Sequence, residues 1–387
     1  MITRDQVREL AHFQCEKEEC AVSFYFQPQT PQNKSHREEA ILVKELVRNA
    51  MREVEKNGGL KSDLSRIMDL AGDLHGNQAR AKAVFACAGR QFWREFDLPA
   101  QLPGTQLWVN ERFHLKPLAV LLGAQPRSWL ALVDRHKARL FELRLGELYE
   151  REGLFQPSER HGKSEGYAGY DGGHAQRRVE DDVLHHFRNV SERLREAADK
   201  GMFDRLIIGC NDVNWTEFQA QMHPYVRQRL LGRFSGDVMS LSVDRLREES
   251  EQILRNSIAE RRNNLVRQVL SQAKSNSRGV TGLRRVLRSM EQGEVQTLFI
   301  HDNFTAQAVE CLNCGHLDAH MVRHCPLCGR ETRQLKDVCE AIIPAAIRKD
   351  IELFYVKDDP EFERAGNIAA LLRFRADRTT GEAAIAS

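Results

Sequence analysis

The sequence predicts a mixed α/β protein built in three successive parts, with a small zinc ribbon inserted in the last. Three observations predict it. Short runs rich in β-branched and aromatic residues alternate with longer stretches whose apolar residues recur every three or four positions. Composition breaks at Pro126-Arg127 and again at Lys274-Ser-Asn-Ser-Arg-Gly279, dividing the chain into 1–125, 126–275 and 276–387. Two C-x-x-C-Gly knuckles, Cys311-Leu-Asn-Cys314 and Cys325-Pro-Leu-Cys328, lie ten residues apart in the third part.

In the first part, Ala21-Val-Ser-Phe-Tyr-Phe26 alternates as a strand, Gln27-Pro-Gln-Thr-Pro31 turns the chain, and about 36–56 forms a charged helix. Asn57-Gly-Gly-Leu-Lys-Ser62 is expected to be a loop leading into a second helix that ends near Leu74, with strands at Ala83–Cys87 and Gln106–Val109. In the second part, Ser128–Asp134, Ala138–Leu143 and Leu148–Glu152 form a meander. Apolar residues Val179, Val183, Leu184, Phe187, Val190 and Leu194 recur at three- and four-residue spacing in a helix that stops near Gly201. Arg205–Gly209 reads as a buried strand, Thr216–Leu231 as a helix, Asp237–Val243 as a strand and Asp244–Lys274 as a long helix. The third part holds a helix at Thr281–Met290, a strand at Val295–Ile300, the zinc hairpin at 311–328, a helix at Val338–Arg348, and strands at Ile351–Val356 and Ile368–Phe374.

A chain of 387 residues, 41% hydrophobic and 29% charged, is long enough for two or three cores. No apolar run is long enough to span a bilayer. The opening Met1-Ile-Thr-Arg-Asp5 carries charge and no apolar signal core, so a cytoplasmic location is expected. Net charge is only +2, yet from Arg255 to Arg288 nine Arg or Lys stand against one acid, Glu260. Such a stretch is either an RNA-binding element or a solvated helix face; Arg261, Arg262 and Arg267 are its candidate contacts.

Spacing of the four cysteines points to one tetrahedral Zn²⁺ held by Cys311, Cys314, Cys325 and Cys328. Disulfides fit a secreted chain, and a thioredoxin-type site needs one C-x-x-C opening a helix in a βαβ unit. Catalytic zinc keeps an open position, whereas four thiolates close the shell, so the ion is structural. His316, His320 and His324 between the knuckles read as surface residues, and Cys15, Cys20, Cys87, Cys210 and Cys339 as reduced, partly buried side chains.

Gly172-Gly-His174-Ala-Gln-Arg-Arg178 follows a glycine-rich stretch and opens a helix. Adjacent glycines let backbone approach a ligand, the helix end offers free amides, and Arg177 and Arg178 add phosphate donors. An ordinary flexible loop is the alternative, since phosphate-loop and G-x-G-x-x-G spacings are missing. Asp181, Asp182, His185 and His186, spaced one helical turn apart, could bind a metal or simply form surface ion pairs. Ser164, His161 and Asp171 lack a nucleophile elbow, and Trp129 and Trp215 read as core.

Together, the strand hairpin, the paired glycines with their arginine pair, and Leu206-Ile-Ile-Gly-Cys-Asn-Asp-Val-Asn-Trp-Thr-Glu-Phe218 resemble the middle domain of archaeo-eukaryotic release factors and Pelota-like rescue factors. Gly282-Leu-Arg-Arg-Val-Leu-Arg-Ser-Met-Glu-Gln-Gly-Glu-Val-Gln-Thr-Leu-Phe-Ile-His-Asp302, the double knuckle and Ala365-Gly-Asn-Ile-Ala-Ala-Leu-Leu-Arg373 resemble their C-terminal domain. The whole resembles the bacterial branch of the superfamily, which includes Balon-like ribosome hibernation factors. That resemblance implies a three-domain release-factor/Pelota-like architecture whose middle domain is RNase H-like. It implies that the first domain enters the decoding site and that Gly172, Gly173 and His174 reach the peptidyl-transferase centre.

Two positions depart from the family pattern. Release factors carry Gln where this chain has His174, and their codon-reading Asn-Ile-Lys-Ser corresponds to Asn57–Ser62, which keeps Lys61 and Ser62. An imidazole does not reproduce an amide that donates and accepts at fixed positions, although backbone amides alone can stabilise an oxyanion. The resemblance therefore implies a ribosome-binding factor that occupies the A site in hibernation or rescue, touching rRNA of both subunits beside a translational GTPase such as elongation factor Tu. A codon-independent peptidyl-tRNA hydrolase and an RNA-binding protein acting off the ribosome are the alternatives.

Overall fold

A computed structural model describes residues 2–15, 21–28, 37–53, 58–73, 81–98, 102, 104–123, 126–144, 146–155, 172–236 and 240–375. They form two compact units, Met1–Ala124 together with Arg262–Ser387, and Gln125–Arg261. The first and third divisions read from the sequence fall in one of these units. Among the described residues no helix is long and apolar enough to cross a membrane.

In the first unit, strand Ala21–Phe26 lies inside an antiparallel sheet ordered Phe92–Asp97, Lys82–Cys87, Ala21–Phe26, Gln106–Asn110. It is buried along its whole length because both faces of the sheet are covered. Period-two alternation sends Val22, Phe24 and Phe26 toward Val43, Val47, Leu64 and Ile67 of helices Arg37–Glu53 and Gly58–Asp73. Ala21 and Tyr25 face the opposite way, into a core shared with Leu298, Ile342 and Ala346 from the C-terminal part of the chain. Ser23, on that same face, satisfies its hydroxyl by accepting from His114 N at 2.9 Å.

The chain opens with helix Arg4–His12, an element beyond those expected from the sequence. Thr3 Oγ1 accepts from Gln6 N and Gln6 Oε1 accepts from Thr3 N, a capping box that starts the helix and lets Val7, Leu10 and Ala11 bury. Residues 58–62, expected as a loop, are the first turns of helix Gly58–Asp73.

The C-terminal part of this unit is a mixed sheet ordered Gly279–Thr281, Ile368–Leu372, Val295–His301, Glu352–Val356. Val295–His301 and Glu352–Val356 run parallel, with helix Cys339–Arg348 in the connection between them. Gly279 has no alternative here: a Cβ would stand 2.3 Å from Val269 O of the helix packed against it. Between these strands sits the ribbon, a three-stranded sheet ordered Leu317–Asp318, Ala308–Cys311, Thr332–Leu335.

One buried carboxylate ties the ribbon to the N-terminal sheet. Glu310, 5% exposed, accepts from Arg112 on one oxygen and from Arg333 on the other at 2.7 Å, and Arg333 also pairs with Glu111. Two guanidiniums offset the desolvation of one carboxylate, so losing Glu310 would leave two largely buried cations short of a partner.

The second unit is a five-stranded sheet ordered Glu147–Phe155, Lys137–Arg144, Ser128–Val133, Arg205–Cys210, Leu230–Phe234. Its first three strands form the expected antiparallel meander, and the last two run parallel to Ser128–Val133. Helix Gly172–Asp199 covers one face through Phe187, Val190 and Leu194, which pack with Trp129 and Phe218. Leu246 and Leu254 of helix Val243–Lys274 cover the other.

Two expectations fail in this unit. The helix expected at Thr216–Leu231 stops at Gln221, restarts as Pro224–Arg227 under a His223 cap, and gives way to strand Leu230–Phe234. Pro224 has no amide to continue the ladder. Residues 240–242 are not a strand, because the parallel edge beside Arg205–Cys210 is already taken by Leu230–Phe234; residues 237–239 lie outside the described set.

Two outcomes follow from this packing. Glu310→Ala should lower the unfolding free energy of the full chain by about 3 kcal/mol in denaturant titrations, because Arg112 would lose its pairing with Glu310 and Arg333 would keep only Glu111. His114, stacked on Trp108, has its imidazole pKa lowered from 6.5 to about 4 by burial and by the nearby Lys116 ammonium. The unfolded chain then takes up a proton that the folded chain refuses. Stability should therefore fall by up to about 3 kcal/mol as pH drops from about 6.5 through about 4, and His114→Asn should remove that part of the pH dependence.

Candidate metal centre and RNA-facing residues

Each knuckle begins on a strand end or bridge and turns back through a glycine. Cys311 closes strand Ala308–Cys311, and Cys325 follows the bridge between His324 and Glu331. Gly315 N donates to Cys311 O and Gly329 N to Cys325 O, and both glycines have φ of +70°. Space around them is open, so backbone conformation alone selects glycine.

The four sulfurs lie within 4.8 Å of one another. Cys311 and Cys328 Sγ stand 3.4 Å apart and Cys314 and Cys325 Sγ 3.6 Å apart, close to the roughly 3.8 Å that a tetrahedral Zn–S shell requires. Backbone amides already point at the sulfurs: Asn313 N at 3.4 Å and Cys314 N at 3.5 Å from Cys311, and Leu327 N at 3.4 Å from Cys325. Amide donation from Cys314 and Asn313 lowers the Cys311 thiol to about 6. The His316 amide favours thiolate at Cys314, but desolvation and hydrogen bonds with the other sulfurs push that thiol up to about 12. A divalent cation would hold all four as thiolates, so the donor set fits zinc.

The histidines between the knuckles are not ligands. His316, expected at the surface, is largely buried and turns its Nδ1 to Glu291 Oε1 at 2.7 Å, while His320 Nδ1 lies 3.0 Å from Asp318. Cys15, Cys87, Cys210 and Cys339 are buried, with Cys15 and Cys87 Sγ 3.2 Å apart. Cys20 lies outside the described residues.

Gly172, Gly173 and His174 form the first turn of helix Gly172–Asp199, followed by Arg177 and Arg178; these side chains, and all of 156–171 with His161, Ser164 and Asp171, lie outside the described set. First-turn amides lack intrahelical acceptors, which keeps the donor capacity expected there. Asp181, Asp182 and His185 are exposed, His186 is buried, and these four do not converge on a metal geometry. Lys61 and Ser62 are exposed.

The basic stretch splits on inspection. Arg255 pairs with Glu251 and Lys274 with Glu361, while Arg262 is half-buried and donates to Asn263 Oδ1. Arg261 and Arg267 are exposed. Arg284, Arg285 and Arg288 are exposed on helix Leu283–Glu291, whose opposite side buries Val286, Leu287 and Met290. Three guanidiniums on one face are what a phosphate-contacting helix presents.

Residues 114–262 match the family model of bacterial archaeo-eukaryotic release factor family 10, a span that encloses the whole second unit. Among solved structures the chain is similar to an archaeal translation termination factor at 16% identity, over 96% of this chain and 99% of that one, with a TM-score of 0.26. It is also similar to Pelota of Archaeoglobus fulgidus at 12% identity over 96% and 93%, TM-score 0.37. A third is Dom34 of S. cerevisiae, a translation termination-like factor, at 8% identity over 76% and 79%, TM-score 0.40. No curated protein matches.

Purified chain should contain one zinc by elemental analysis, and Cys311→Ser or Cys328→Ser should lose it. Chelation should unfold the ribbon, since structural zinc contributes on the order of 10 kcal/mol to folding; near-unchanged stability after complete metal removal would show that the hairpin stands on its own packing.

Proposed function

We propose that this chain is a release-factor-like translation factor that binds the ribosome, occupies the A site and brings Gly172, Gly173 and His174 to the peptidyl-transferase centre. The observation that carries the reading is the family match over 114–262, which contains this tripeptide at the head of a 28-residue helix. Two adjacent glycines without side chains allow the backbone to approach RNA closely, and first-turn amides are free to meet phosphate or carbonyl oxygen.

Occupancy without hydrolysis is the favoured mode, in hibernation or in rescue of stalled complexes. His174 replaces the amide that release factors use, and a ring that both titrates and projects differently does not hold water in the same place. Arg284, Arg285 and Arg288, with Lys61 and Ser62, supply rRNA contacts that depend on charge and shape. The zinc ribbon acts as a structural brace, and a translational GTPase such as elongation factor Tu is the expected partner in the cytoplasm.

Sedimentation through sucrose at rising salt tests the reading. The chain should travel with ribosomes at low salt, with the slope of log affinity against log salt falling by about 1 for each of Arg284, Arg285 and Arg288 changed to Ala. Absence from ribosomal fractions at low salt would remove it. Release of labelled peptide from ribosome-bound peptidyl-tRNA, lost on Gly173→Ala, would instead identify a hydrolase.

A further inference from the structure

The first unit contains a cleft of about 740 Å³ that neither the metal centre nor the glycine-led helix uses. Strand Gln106–Asn110 and the segment after it form one wall, and residues 302–305, helix Cys339–Arg348 and strand Glu352–Val356 form the other. Its volume is that of a small-ligand site, and its lining combines aromatic surface with fixed charge.

Three features of the lining point the same way. The indole of Trp108 is 42% exposed, yet its plane is fixed by stacking on His114, with centroids 4.2 Å apart and planes 13° from parallel. Lys116 Nζ spends one of its three donors on Asp302 O and lies 5.3 Å from the centroid of the Tyr355 ring. Tyr355 Oη is buried and has no hydrogen-bond partner among the described residues, so it is a polar group waiting for a ligand or a water.

The acids in the lining are already engaged. Lys357 pairs with Asp302 at 2.7 Å, Asp337 accepts from Cys339 N at 3.0 Å, and Glu340 is hydrogen-bonded to Asn110. Burial raises the pKa of the Glu340 carboxyl, which reduces the negative charge of the wall, and lowers that of the Lys116 ammonium. Lys116, Lys357 and Arg262 are the cations an entering anion would meet there, with Lys357 already paired to Asp302 and Arg262 to Asn263.

We infer that this cleft binds a nucleotide, its base stacked on Trp108 and its phosphate held by Lys116, Lys357 and Arg262. An exposed, immobilised indole beside lysines suits a π-face joined to a phosphate. The ligand is either a free nucleotide or a splayed residue of single-stranded RNA, which share this chemistry. Ribosome association is not a premise, and failure in sedimentation leaves the affinity of the cleft unaffected.

Titrating the full chain with adenosine monophosphate and, separately, with a short single-stranded oligoribonucleotide tests it, with tryptophan fluorescence and calorimetry as readouts. Saturation by at least one titrant below about 1 mM is expected. Saturation by the monophosphate identifies a free nucleotide as ligand, and saturation by the oligonucleotide alone an RNA residue. Trp108→Leu should weaken calorimetric binding about tenfold or more, while Trp108→Phe keeps most of it. Tyr355→Phe should weaken it several-fold with the unfolding midpoint unchanged. Failure of both titrants to saturate, or binding indifferent to Trp108→Leu and Lys116→Ala, would overturn the inference.

Discussion

The buried carboxylate of Glu310 is the constraint on which the first unit depends. Removed from water, it is tolerable only because Arg112 and Arg333 meet it from opposite ends of the sequence. Strand alternation then decides the rest: Glu310 and Cys311 are neighbours on Ala308–Cys311 and point to opposite faces. One residue fastens the ribbon to the N-terminal segment and the next begins the metal shell. The four-cysteine cluster and the tie between the ribbon and the N-terminal sheet are therefore built on a single four-residue strand.

Desolvation shapes the chemistry of the adjoining surfaces as well. His114, Lys116, Glu340 and Tyr355 are all displaced toward their neutral forms, and burial is the leading cause in each. A wall of partly neutralised groups around an exposed indole differs from the fully solvated arginines of helix Leu283–Glu291. The former suits recognition of one bound group at close range, the latter diffuse attraction to a phosphate backbone.

The second unit is built differently. Its sheet is covered on both faces by long helices, and the first-turn amides of Gly172–Asp199 have no acceptor within the helix. Paired glycines there widen access without adding side-chain bulk. The family match spans the scaffold and this helix start together.

Where a structural signal is local, the sequence carried it. The C-x-x-C-Gly spacing, the alternation of Ala21–Phe26 and the three- and four-residue spacing from Val183 to Leu194 each depend on neighbours within a few residues, and each could be read directly. The Thr3–Gln6 capping box and the break at Pro224 were equally local and equally legible, so the helix left out and the helix drawn too long trace to signals present in the sequence. The pairing of Glu310 with Arg112 and Arg333, the turning of His316 to Glu291, and the cleft drawn from 106–120, 302–305 and 337–357 were decided only in the tertiary structure. Residues distant in sequence become neighbours through the packing of a shared core, and burial sets their charge and their partners only after that packing exists.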